Sequence, residues 1–255
     1  MLTMSPRHLF SLVLFLLAQA AAPAANIVLM IGEDEYKTWE TLPDFAAKEL
    51  KAAGHRATSI HASKENKNDF PGLGAALRDA DLLFVSVRRR TPLKEQLDAV
   101  RAFLAAGKPL VGIRTACHAF SPLPKETITD PRLATWTTFD PDILGGNYTG
   151  HHRGEGPTTM QLAPGAASHA ILRGITIEKL TSPTTLYKVS PLAADTTPLL
   201  IGTFLQNAPE PIAWTRLQGP KKGRVFFTSI GGPGDFANPE FRRFLMNGVR
   251  WALGR

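Results

Sequence analysis

The sequence holds a single cysteine, Cys117, in 255 residues. No intrachain disulfide can form, so stability must come from a packed core. Long apolar runs are missing as well. The stretch from Leu9 to Leu17 falls short of the roughly 20 residues that a membrane-spanning helix needs. Charged residues make up only 20%, too few for a disordered chain, while the 44% of hydrophobic residues can fill a sizeable core. No linker and no internal repeat interrupts the chain, so 26–255 reads as one domain. The formal charge is +7, yet the basic residues are scattered and only Arg88-Arg89-Arg90 forms a run. Nucleic acid is therefore not an expected partner. An anionic or sugar-acid ligand would suit the basic excess.

The N-terminus reads as a cleavable leader. Arg7 and His8 precede the short apolar stretch, and small residues follow from Ala18-Gln19-Ala20 to Ala25. This is the pattern of a signal peptide over residues 1–25, cut between Ala20 and Ala25. No cysteine at the junction invites a lipid anchor. The expectation is a periplasmic or secreted protein with no stable membrane insertion after cleavage.

The first half alternates strands and helices. Asn26 to Ile31 is an apolar run closed by Gly32, the mark of a strand buried on both faces. A helical pattern follows from Thr41 and Pro43 to Gly54. Arg56 to His61 is a second strand, and a second helix ends near Asp79. Asp81 to Val87 is a third strand. Thr91-Pro92 opens a third helix that Gly107 closes, and Pro109 to Ile113 is a fourth strand. Such alternation predicts an α/β fold, a parallel sheet with helices on both faces and right-handed crossovers. The strands starting near Asn26, Asp81 and Pro109 are expected to be parallel neighbours. Ser121 to Pro164 reads as a loop-rich insertion over the site. Strands are expected at Thr184–Val189, Leu199–Thr203, Pro211–Thr215 and Gly223–Ser229, then a closing amphipathic helix from Asn238 to Leu253.

Ligands of open α/β sheets bind beyond the carboxyl ends of the strands. The residues after each strand are therefore the candidates. Gly32-Glu33-Asp34-Glu35-Tyr36 follows the first strand, and its carboxylates call for a basic partner, a cation or open water. Arg88-Arg89-Arg90 follows the third strand and could pair with Glu33 or Glu35. After the fourth comes Arg114-Thr115-Ala116-Cys117-His118. A strand entering a tight turn presents one side chain at the top of the sheet, here Arg114. Cys117 is expected to pack as a small buried hydrophobe and to be dispensable. Gly145-Gly146-Asn147-Tyr148-Thr149-Gly150-His151-His152 permits close approach to a ligand, and one histidine could face it. Ile230-Gly231-Gly232-Pro233-Gly234-Asp235 forms a glycine-rich turn with no phosphate-loop lysine after it.

Taken in order, Gly32–Tyr36, Gly112–Phe120, Gly145–Tyr148 with Gly150-His151, Gly223–Ser229 and Asp235–Gly254 resemble the trehalose-utilisation (ThuA-like) family over essentially the whole mature chain. The resemblance implies a flavodoxin-like fold similar to the class I glutamine amidotransferases. It also implies export and a place in disaccharide catabolism through 3-keto sugars. Amidotransferases carry their nucleophilic cysteine directly after this Gly-Ile, where the present chain has Arg114. Cys117 is displaced and no downstream His-x-Glu partner follows. Many relatives carry a histidine where this chain has Gly232, so His118 or His151 would have to supply any role of that side chain.

The leading expectation is an enzyme acting on a glycoside or 3-keto sugar by proton transfer next to a carbonyl, as an isomerase, epimerase or lyase/hydrolase. Such chemistry needs a base and a group that stabilises the oxyanion. His151 or Glu35 is the candidate base and Arg114 the electrophile. Glu33, Tyr36, Arg88, His118, Asn147 and Gly232 are candidates for sugar binding. A divalent metal such as zinc could be held by His118 and His151, although no spacing of known specificity is present. Arg114, His151 and one of Glu33 and Glu35 are expected to line one cleft. Two alternatives stand beside this: a cysteine hydrolase or amidotransferase using Cys117 and His118, and a non-catalytic carbohydrate-binding protein. The expected partner is a small sugar or keto sugar, with a homo-oligomer left open.

Overall fold

The computed structural model describes residues 23–255. The expected leader lies outside the described residues except for its last three. Ala25 already belongs to the fold: it is buried, and its carbonyl accepts the Arg56 N–H at 2.8 Å. Among the described residues no helix is long and apolar enough to cross a membrane.

The elements in chain order are β1 (Asn26–Gly32), α1 (Thr38–Phe45), β2 (Arg56–His61), α2 (Leu73–Arg78), β3 (Leu82–Val87), α3 (Lys94–Ala105) and β4 (Leu110–Ile113). Then come β5 (Gly150–His151), β6 (Thr158–Leu162), β7 (Tyr187–Lys188), β8 (Thr196–Phe204), β9 (Glu210–Gln218), β10 (Gly223–Thr228), α4 (Pro233–Ala237) and α5 (Pro239–Ala252). The main sheet has eight strands in the order β2-β1-β3-β4-β10-β9-β8-β6. The strands from β2 to β10 run parallel, so β1, β3 and β4 are parallel neighbours as the alternation predicts.

The parallel α/β sheet is as expected, and its second half adds the antiparallel strands β9, β8 and β6. β9 and β8 join β10 by short turns, and a short turn can return the chain only antiparallel. The strand expected over Thr184–Val189 shrinks to β7, which pairs with β5 outside the main sheet. The expected loop-rich insertion contains β6, an edge strand in which only Thr158 is buried. Its side chains carry too little apolar alternation to announce a strand.

Side chains alternate across a strand, and β1 divides its residues accordingly. Ile27, Leu29 and Ile31 enter one core with Phe45 and Leu245, from α1 and α5. Val28 and Met30 enter the other with Leu77 and Leu97, from α2 and α3. Trp214 on β9 donates its indole N–H to the Leu144 carbonyl at 2.7 Å and so fastens the insertion to the sheet. Asn238 caps α5 by accepting the Glu240 N–H at 2.9 Å.

Strand order positions the site. From β1 the chain passes to β2 on one side, then crosses to β3 on the other. The loops after β1 and β3 therefore part above the sheet. Such a switch point at the carboxyl ends is where open α/β sheets hold ligands.

Candidate functional site

The loop after β1 is built around its own carboxylate. Glu33 is only 5% exposed. Its Oε1 accepts from the Thr38 N–H at 2.6 Å and hydroxyl at 2.7 Å, and its Oε2 from the N–H groups of Glu35 at 2.8 Å and Tyr36 at 2.6 Å. Glu33 is thus a loop organiser, which corrects its expected role in sugar binding. The loop it shapes sends Asp34 to Lys67 and Arg90, Glu35 to Arg88, and Tyr36 to Arg114. The Arg88–Glu35 contact is 2.6 Å and spans the switch point.

Arg114 follows β4 with φ at 44°, a left-handed backbone at a strand-to-turn elbow. Such strain in a non-glycine residue costs roughly 1–2 kcal/mol and must be held by its surroundings. They are specific here. Arg114 is 2% exposed. It does not pair with Glu33 or Glu35. One terminal nitrogen donates to the carbonyls of Thr185 at 3.0 Å and Ser229 at 2.8 Å, and the other to the Tyr36 hydroxyl at 3.3 Å. The guanidinium also stacks between two rings, 4.5 Å from that of Tyr36 and 4.2 Å from that of Tyr187. Burial opposes its charge, but Tyr187, Tyr36 and Asp235 outweigh burial and hold its pKa above the ordinary value.

The aromatic cluster continues. Tyr187 and Tyr148 rings lie 4.8 Å apart, and His118 stacks on Tyr148 at 4.5 Å. His151 faces Tyr187 across the β5–β7 pair, with the ring centroids 6.4 Å apart. His151 itself is exposed. The chain has three tyrosines, and all three meet here. Burial pushes the Tyr148 phenol up to about 12 and that of Tyr187 well above its usual value, the latter opposed by Arg114. Burial, then Arg89 and Arg88, pulls His118 down to about 3, so its ring stays neutral.

Cys117 is buried, as expected. Its Sγ lies 3.3 Å from His118 Nδ1, so these neighbours do touch. Burial, with Asp140 adding to it, pushes the thiol well up. The pair is a neutral thiol against a neutral imidazole, without the thiolate that nucleophilic attack requires.

Asn147 stands exposed at the margin and donates its amide to the Ser190 carbonyl at 3.3 Å. Gly232 donates its N–H to Asp235 at 2.8 Å. A Cβ there would lie 2.8 Å from the Thr184 methyl, so a histidine at this turn would require Thr184 to shift. Among the described residues no three His, Cys, Asp or Glu side chains converge as a metal site. The donors present do not fit the expected zinc, because His118 is packed against Cys117 and Tyr148.

The structure therefore gathers Tyr36, Glu35, Arg88, Arg114, His118 and His151 at one edge. Sequence reasoning assigned no role to Tyr148, Tyr187 or Asp235. The scarcity of tyrosine was the available signal for the first two. Flat aromatic walls, neutral imidazole and hydroxyl donors suit a polyhydroxylated ring, whose C–H faces stack and whose hydroxyls need partners.

Known structures share this architecture. A ThuA-like protein from Bacteroides uniformis superposes with a TM-score of 0.64 at 15% identity, over 91% of this chain and 93% of that one. A ThuA-like protein from Parabacteroides merdae gives 0.61 at 13% identity, over 91% and 90%. The β-galactosidase of Rahnella sp. gives 0.56 at 14% identity, with this chain matching 32% of its length. These likenesses concern the fold. No curated protein matches the sequence. The pattern of the ThuA family, described as trehalose utilisation, runs through residues 28–252, from β1 to the end of α5. With both its sequence pattern and its mixed sheet accounted for, the chain belongs to the ThuA family.

Proposed function

We propose that this chain is an exported sugar-processing enzyme that moves a proton next to the carbonyl of a glycoside or 3-keto sugar. The family ties the chain to sugar utilisation. The observation that carries the finer reading is the Tyr36–Arg114–Tyr187 stack at the end of β4, with His151 across from Tyr187.

Arg114 acts through its neighbours, since its buried guanidinium leaves little for a ligand to touch. By donating to the Tyr36 oxygen it leaves the hydroxyl hydrogen of Tyr36 free to point at a ligand. His151 takes the proton from the carbon beside the carbonyl, and the C–H electron pair moves onto the carbonyl oxygen. The Tyr36 hydroxyl donates to that oxygen, and Arg114 stabilises the charge gathering there. His118, neutral and stacked on Tyr148, walls the ring. Glu35, bound to Arg88, orders the facing rim.

The test is turnover of a 3-keto-glycoside by Tyr36→Phe and His151→Ala. Each should lower kcat/KM by about 100-fold or more with folding intact. Unchanged turnover in both would remove this reading. The contact between Cys117 and His118 favours a cysteine hydrolase by geometry alone, and the neutral state of both groups argues against it.

A further inference from the structure

A second pocket of about 330 Å³ opens on the other side of the β1 loop, beyond the ends of β1 and β2. Apart from Glu33, whose carboxylate the loop occupies, it shares no side chain with the tyrosine cluster. Ile31, Gly32 and Ala62 form its apolar floor. Trp39, 38% exposed, forms one wall, and Lys67, Lys64 and Arg90 stand around it. Its volume is at the low end for small-molecule pockets, about 300–1,000 Å³, and fits one ring-sized molecule.

Arg90 identifies the ligand chemistry. It is 8% exposed, and a guanidinium carries five N–H donors. Its one ionic partner among the described residues is Asp34, at 3.2 Å, and that same carboxylate oxygen is also held by Lys67 at 2.6 Å. Among the described residues the buried Arg90 Nε makes no hydrogen bond. A buried guanidinium with idle donors is costly unless an anion completes it. Trp39 lines the same pocket and is partly exposed, and an indole face is a surface on which the C–H side of a sugar ring packs.

We propose that this pocket binds a single pyranose ring bearing a carboxylate, with the ring on Trp39 and the carboxylate on Arg90, and Lys67 at the rim. The site is separate from the proposed proton-transfer centre and does not rest on that reading.

The test is titration with D-glucuronate, read from the Trp39 indole N–H resonance, which the Trp39→Phe variant assigns among the four tryptophans. Methyl glucoside supplies the ring without the charge, and acetate the charge without the ring. Glucuronate should shift Trp39 and bind about tenfold or more tightly than either. Lys67→Met, followed by the same resonance, and Trp39→Ala, followed by calorimetry, should each weaken binding, and Lys67, being exposed, can be changed even if Arg90 variants fail to fold. The proposal is overturned if glucuronate leaves the Trp39 resonance unmoved. It is equally overturned if methyl glucoside or acetate binds as tightly as glucuronate. The readout is binding without turnover, so a failed proton-transfer reaction leaves it standing.

Discussion

Arg114 and Tyr187 lie face to face at the carboxyl edge of the sheet, the guanidinium carbon 4.2 Å from the ring centroid. The pair joins an elbow after β4 to β7, which pairs with β5 of the insertion; the Thr185 carbonyl that Arg114 also binds is 71 residues away. It fixes the insertion over the sheet and sets the place of Tyr36.

That role predicts a large structural cost. Arg114→Ala opens a cavity between two rings and leaves the Thr185 and Ser229 carbonyls without their donor. Equilibrium urea unfolding should show a loss of about 3 kcal/mol or more. A loss under about 0.5 kcal/mol, the level of an ordinary surface change, would mean that the stack does not hold the insertion.

The Arg88–Glu35 pair should behave differently. Both side chains are partly exposed, and pairs of this kind contribute about 1 kcal/mol or less. Glu35→Gln should barely change unfolding yet lower turnover, because the rim facing the ligand loosens. A double-mutant cycle in stability that exceeds about 2 kcal/mol would contradict this view of the pair.

Two buried groups should give opposite pH dependences. His118 is held near 3 in the folded protein against an ordinary 6.5, so as pH falls below about 6.5 the unfolded state takes up a proton that the fold refuses. Stability is lost toward acid, and His118→Phe should gain on wild type between about pH 6.5 and 4. Burial raises Asp140 to about 7 from an ordinary 3.8, so between those values the unfolded state has released a proton that the fold keeps. Stability falls as pH rises through that window, and Asp140→Asn should gain on wild type as it does. Differences from wild type that stay flat across pH would refute both assignments.

Cys117 should resist alkylation in the folded protein at neutral pH and react promptly in urea, since burial keeps the thiol protonated. Fast labelling of the native chain would revive the hydrolase alternative.

The N-terminus offers a further check. Ala25 is buried and bonded to β2, so cleavage of the proposed leader must leave it in place. Intact mass of the exported protein should correspond to a chain starting at or before Ala25. A start at Asn26 or later would contradict this.

The parallel half of the fold was legible because strands buried on both faces are plain apolar runs, as in Asn26–Ile31 and Leu82–Val85. β6 and β7 were not, since an edge strand and a two-residue strand leave too little periodicity to read. Placement of Tyr36, Arg114 and His151 at one edge was open to reasoning, because a parallel sheet gathers its strand ends. The partners of Arg114 were not. They are backbone carbonyls and ring faces, and no residue type at a given spacing encodes a carbonyl acceptor. The same reasoning misjudged Glu33, whose short loop folds back on its own carboxylate.

Proton transfer beside a carbonyl leaves a direct trace in heavy water. The protein should exchange the hydrogen on the carbon next to the keto group of a 3-keto-glucoside for deuterium, followed by loss of that carbon's proton signal. Exchange should persist in Cys117→Ala and fall to the uncatalysed rate in His151→Ala. Wild-type protein that leaves the proton signal intact while turning the sugar over, or exchange that survives the loss of His151, would contradict the mechanism.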